Sequence, residues 1–167
     1  MRKIIFRGLP ENGQVTLADL DLNHIRHERG FLIGSLVTDF KDEAAITGDL
    51  IDCDEDCITP SWWWTVRPKT VGEWTGLKDI SGKLIWEDDI LKFDLPFSQN
   101  RLGVVVRQDN QWIVLSRSNC LDNFDILQNI TIYGDRFHNE TLVKVATEAY
   151  AEKIVHGWWK GGRENDK

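Results

Sequence analysis

Leu102–Arg107 (LGVVVR) and Gln111–Ser116 (QWIVLS) are two apolar runs joined across Asp109-Asn110. Asn and Asp tolerate the left-handed backbone that a two-residue hairpin turn demands, so this stretch predicts an antiparallel pair. The pattern recurs. Lys3–Arg7 (KIIFR), Phe31–Thr38 (FLIGSLVT), Thr70–Thr75 (TVGEWT), Lys83–Trp86, Asp89–Asp94 and Asn129–Gly134 (NITIYG) are strand-length segments with turn residues between them. Short strands at regular spacing predict a strongly curved antiparallel sheet or a small barrel. Gly34, inside Phe31–Thr38, predicts a bulge or a close backbone approach.

Two stretches resist this reading. Asp39–Asp56 carries eight carboxylates against Lys41 alone and has no clear period, so it reads as a solvated hairpin or loop. Cys57–Val66 (CITPSWWWTV) is extended and aromatic, but Pro60 and Pro68 argue against a long central strand. Thr16–Glu28 is ambiguous between a helix on Leu17, Leu20 and Ile25 and a polar loop. From Asn139 to about His156 the period becomes helical, with Leu142, Val145, Ala146, Ala149, Tyr150 and Ile154 in one stripe. Asn139 serves as N-cap, Glu140 complements the helix dipole, and Gly157 ends the helix.

The fold class is therefore α+β and mostly β. The expected organisation is an N-terminal β-rich portion with an acidic loop over residues 1–69 and a barrel-like portion over 70–138. A helix over 139–160 and a tail over 161–167 follow. With 41% hydrophobic residues in 167, the chain has enough apolar material for a core, which excludes wholesale disorder. No apolar run approaches the roughly 20 residues of a membrane helix. Met1–Gly8 (MRKIIFRG) has too short an apolar stretch for a signal peptide, and Cys53, Cys57 and Cys120 are odd in number, as reduced thiols would be. The expected location is the cytoplasm of a bacterial host cell, with no membrane partner.

Thr70–Phe93 (TVGEWTGLKDISGKLIWEDDILKF) carries a longer pattern. Thr75-Gly76-Leu77-Lys78-Asp79, then Ser81-Gly82-Lys83, then Asp89-Ile90, resemble the signature of the YopX family of bacteriophage and prophage proteins. Arg2–Gly8, Arg29–Leu36 and Ile130–Leu142 resemble other segments of that family. Asp88 stands where the family usually has Gly, Trp74 and Trp86 where it has Phe or Tyr, and residues 39–60 align with nothing in its pattern. The resemblance implies a β-rich accessory protein that oligomerises. It carries over no catalytic residue. Physically, Gly76 and Gly82 permit backbone that side chains oppose, Asp79 can close a turn, and Trp74, Leu77, Ile85, Trp86, Ile90 and Phe93 supply core. An SH3-like barrel is the nearest fold analogy for Asp89–Phe93 followed by Gly103–Val106, and fold does not fix function.

Three groups of residues have the side-chain types that chemistry needs. Cys53 and Cys57 with His24 and His27 could supply four zinc ligands, but the spacing is not a recognised zinc knuckle. Asp52, Asp54 and Asp56 imitate a calcium loop, yet its sixth position is Cys57 and its twelfth Trp63. Glu87, Asp88 and Asp89 could pair carboxylates, and the plainer reading is an exposed strand start with a turn-capping Asp. No cofactor is implied, and the reading leans away from an enzyme.

Eight tryptophans are the remaining signal. On an extended chain Trp62 and Trp64 point one way and Trp63 the other. These three, with Trp158 and Trp159, are the expected partner-binding or self-binding residues, because Trp is enriched at interface centres. The expected function is binding, to a host or phage protein and to a second copy of the chain. Single-stranded nucleic-acid binding by the barrel is the alternative, and a net charge of −7 counts against it. A metal-dependent enzyme is the third reading.

Overall fold

The computed structural model describes residues 4–11, 16–39, 43–54, 57–116 and 120–147. The described chain is mostly antiparallel β-structure with two α-helices and divides into two compact units between Trp74 and Thr75.

The first unit opens with β1 (Phe6–Gly8), α1 (Leu17–Leu22), β2 (His27–Glu28) and β3 (Phe31–Thr38). Then come β4 (Ala44–Thr47), β5 (Leu50–Cys53), β6 (Ile58–Pro60) and β7 (Trp63–Val66). The chain leaves this unit within β8 (Gly72–Lys78), whose first residues pair with β1. Four strands lie side by side in the order β7-β4-β3-β1. Successive side chains of a strand face opposite ways, and here the alternation is clean. Leu36, Ile46 and Trp64 are in register on one face, and Ala44 and Val66 continue it. That face packs against Leu20 of α1, Ile25 and Leu32 to make the core. Thr16 resolves the ambiguous helix: its hydroxyl accepts from the Asp19 N–H at 3.2 Å, while the Asp19 carboxylate accepts from the Thr16 N–H at 2.9 Å. This reciprocal cap starts α1 at Leu17.

The acidic stretch and the tryptophan stretch turn out to be two legs of one hairpin. Register runs from Ala44↔Val66 through Ile46↔Trp64 and Thr47↔Trp63. Gly48 N–H then donates to the Trp62 carbonyl at 2.9 Å, and Ser61 N–H to the Asp49 carbonyl at 2.8 Å. Pairing resumes at Leu50↔Pro60 and Cys53↔Ile58, with one residue of bulge between Leu50 and Asp52. The Asp54 carboxylate accepts the Cys57 N–H at 2.7 Å and closes the tip. Half of this ribbon belongs to the sheet; the outer half, β5 and β6, is a separate two-stranded sheet. Gly34 is where β3 lets the ribbon in: a Cβ there would lie 1.9 Å from the Thr47 carbonyl oxygen.

The second unit holds the end of β8, then β9 (Leu84–Trp86), β10 (Asp89–Leu95), β11 (Ser98–Gln108) and β12 (Gln111–Ser116). β13 (Cys120–Asn123), β14 (Gln128–Asp135) and α2 (Glu140–Thr147) complete it. Its main sheet runs β13-β12-β11-β10-β14. The β11–β12 turn is Asp109-Asn110, both left-handed with φ of 48° and 64°. One face carries Leu91, Phe93, Val105 and Val114 against Ile85 and Leu127, while Ile90 and Val104 lie under Ala146 of α2. β13 and β14 are the two edges, and no pairing between them closes a barrel among the described residues. In α2 the helical stripe is rotated from the sequence reading. Leu142, Val143 and Ala146 pack inward, and Val145 is exposed. Ala149, Tyr150, Ile154 and the tail lie outside the described residues.

Candidate functional site

The signature stretch forms two linked turns in which Thr75, Asp79 and Asp89 turn their side chains onto the backbone. Thr75, buried in β8, donates from Oγ1 to the Ile85 carbonyl at 2.8 Å and accepts the Leu77 N–H at 3.1 Å. Gly76 and Gly82 sit at φ of 87° and 86°, where any other residue is strained. Asp79 is the centre of the turn. Its Oδ1 accepts the Ser81 N–H at 2.8 Å, the Ser81 hydroxyl at 2.7 Å and the Lys83 N–H at 3.0 Å. Its Oδ2 accepts the Ile132 N–H of β14 at 3.4 Å. Lys78 and Lys83 are exposed, and so is Leu77. Leu77 is therefore not core, because the left-handed Gly76 interrupts the alternation that Thr75 had set. Ile85, Trp86, Ile90 and Phe93 are fully buried, as core should be.

The three consecutive acids do not converge on a shared point. Asp89, fully buried, accepts the Trp86 N–H on Oδ2 at 2.9 Å across the turn. Asp88, left-handed at φ 65°, meets Arg136 Nη1 at 3.2 Å. Sequence reasoning missed two polar groups, of which the first lies opposite Asp89. Asp135 accepts the N–H groups of Phe137 and His138, each at 3.0 Å, and His138 Nδ1 lies 3.0 Å from both carboxylate oxygens. Arg101 Nη2 donates to the Ser116 hydroxyl at 3.0 Å, which donates to Asp122 at 2.7 Å, inside the main sheet. The D-x-x-H spacing was visible in the sequence. The second group spans three strands and left no local trace.

Burial at Asp79 disfavours its charge, but the bonds from Ser81, Lys83 and Ile132 outweigh it and hold the carboxyl below the ordinary range. At Asp135 burial is likewise overcome by the His138 side chain and the His138 and Phe137 N–H groups. A carboxyl depressed on folding stabilises the fold above its unfolded pKa, near 4, and loses that contribution as pH falls through the folded value. The urea midpoint is therefore expected to be level above about pH 5 and to fall below about pH 4. The Asp79→Asn and Asp135→Asn variants should each show a shallower fall. An acid limb unchanged by both would contradict this assignment.

The metal-ligand types do not gather. Cys53 and Cys57 are exposed, free thiols at the ribbon tip, and His27 Nε2 lies 2.9 Å from Asp21. Among the described residues, no group of three or more His, Cys, Asp or Glu is placed to hold a metal ion.

The tryptophans divide by face. Trp62 and Trp64 pack on the first unit's core, and Trp63 is 64% exposed on the opposite side. In register with Trp63 are Thr47 and Ser35; beside them run Thr65, Ala45 and Val37. These six residues, none of them charged, lie together on one face of β3, β4 and β7. Trp158 and Trp159 lie outside the described residues. No described helix is long and apolar enough to cross a membrane.

Comparison with known proteins adds three findings. The family model described as YopX protein matches residues 33–143, well over half of the chain, including the whole ribbon. No curated protein matches. The crystal structure of protein EF1440 from Enterococcus faecalis is similar at a TM-score of 0.52 and 17% identity, over 86% of this chain and 99% of that one. At that identity the likeness is one of fold.

Proposed function

This chain belongs to the YopX family, and from that premise we propose an accessory protein of phage or prophage origin that acts by binding. The observation that carries the reading is the uncharged face around Trp63. A chain of net charge −7 repels its own copies, and that repulsion is least where no charge lies. Ser35, Val37, Ala45, Thr47, Trp63 and Thr65 offer such a place, with the exposed indole of Trp63 at one corner of it. Two copies meeting through this face, related by a twofold axis, would bury Trp63 of each against the other. The side chains of Thr75, Asp79 and Asp89, engaged in hydrogen bonds to the backbone, support an architectural role for that motif.

Light scattering and sedimentation test this directly. The wild-type chain should have the mass of a dimer. Trp63→Ser should weaken association by roughly thirtyfold, as loss of a buried aromatic anchor does, while its circular dichroism stays unchanged. A wild-type monomer at every concentration, or a Trp63→Ser variant of wild-type mass, would reject the reading.

A further inference from the structure

The apolar stripe of the ribbon continues past the end of the core. On β7 and β6, positions 64, 62, 60 and 58 share a face by strand alternation. Trp64 and Trp62 on that face are packed against the core, whereas Ile58 is 66% exposed. On the other leg Ile46 is buried, and Leu50, two alternations further, is 59% exposed. Ile51, at the bulge, is 70% exposed. A two-stranded hairpin with its apolar residues in water is marginal by itself and is stabilised by a third strand or an apolar cover. Both β5 and β6 are edges, so each offers backbone groups for such a strand.

Charge identifies the kind of chain that can supply it. Ala44–Val66 contains no Lys or Arg, while Asp49, Asp52 and Asp54 line the described outer half. A second copy would set the same carboxylates against these, and like charges across a strand pair are destabilising. We infer that the outer half of the ribbon is a docking arm for an extended basic and apolar segment of a different protein, added to it as a further strand. Alternating Lys or Arg would meet the carboxylates, and the apolar residues between them would cover Leu50, Ile51 and Ile58. This surface is separate from the face around Trp63, so the two readings stand or fall independently.

The full chain is titrated with a synthetic peptide of about eight alternating Lys and Val residues, matched to strand length. A Glu–Val peptide is run beside it. The Lys–Val peptide should bind at low salt and weaken by about tenfold or more as salt rises to roughly 0.5 M. Amide hydrogen exchange should slow within Leu50–Pro60. The Leu50→Ser/Ile58→Ser double variant should bind at least about tenfold more weakly with its thermal midpoint unchanged, since both side chains are exposed. Asp49→Asn/Asp52→Asn/Asp54→Asn should flatten the salt dependence, and Trp63→Ser should bind the peptide as wild type does. No binding of the Lys–Val peptide, equal binding of the Glu–Val peptide, or exchange protection confined to residues outside the ribbon would each overturn the inference.

Discussion

Gly34→Ala is expected to cost roughly 3 kcal/mol or more, the upper end of what overpacking does. The new methyl would lie 1.9 Å from the Thr47 carbonyl oxygen and 2.9 Å from its carbon. Both are backbone atoms, so no rotamer change relieves the clash. β4 must move away from β3, and Ile46 and Ala44 in the core move with it. For a unit the size of Met1–Trp74 each kcal/mol shifts the thermal midpoint by about 4–8 °C, so a fall of roughly 12–24 °C in the transition of that unit is expected in differential scanning calorimetry. Gly82→Ala provides the comparison. Nothing lies within 4 Å of a Cβ there, and only its φ of 86° opposes a side chain. Its cost should be near 1–2 kcal/mol, the ordinary price of a left-handed residue. Equal losses for the two variants would mean that β4 does not approach β3 as described.

Asp79→Ala should rank close behind, at about 3 kcal/mol. Four donors converge on that carboxylate: two from Ser81 and one each from Lys83 and Ile132. Truncation removes all four bonds at once and leaves the partly buried Ile132 N–H without that acceptor, where an unmade bond costs more than a made one contributes. The Ile132 bond matters most for long-range order, because it ties the turn to β14, far away in the chain. Asp79→Asn retains an acceptor for Ser81 and Lys83 and should fall between wild type and Asp79→Ala. Chemical denaturation at pH 7 measures both. A neutral Asp79→Ala would show that the turn is held by its glycine geometry and not by the carboxylate.

Local signals were legible where one residue type does one job. Phe31–Thr38 is a strand over its predicted range, and Asp109-Asn110 is the predicted turn, because alternation and left-handed tolerance are properties of a few adjacent residues. The division of Trp62 and Trp64 from Trp63 follows from the same alternation. The acidic stretch was opaque for the opposite reason. Its strand β4 is only four residues long and pairs with β7 across the whole length of the ribbon, and the outer pair β5 and β6 is largely exposed, so no buried period marks it. A strand without a core side has no hydrophobic signature to read. The α1 cap was visible as Thr16 and Asp19 but was outweighed by the polar residues that follow. The Arg101–Ser116–Asp122 group required the sheet to be assembled before its members could be neighbours. The lack of pairing between β13 and β14 was likewise beyond reach, since closure depends on strand order.

The bulge beside Ile51 bears on how such a ribbon can vary in descent. Antiparallel legs lengthen by about 3.3 Å for each residue added to both, and each such addition turns the tip over. Insertions that come as two residues per leg would extend its reach and keep the same side outward. An insertion in one leg alone must be accommodated as a bulge, as it is opposite Thr59. The tip can thus be lengthened, shortened or retargeted between lineages while Ala44–Thr47 and Trp63–Val66 stay fixed in their sheet. Divergence is expected to concentrate in the outer segment and to spare its base.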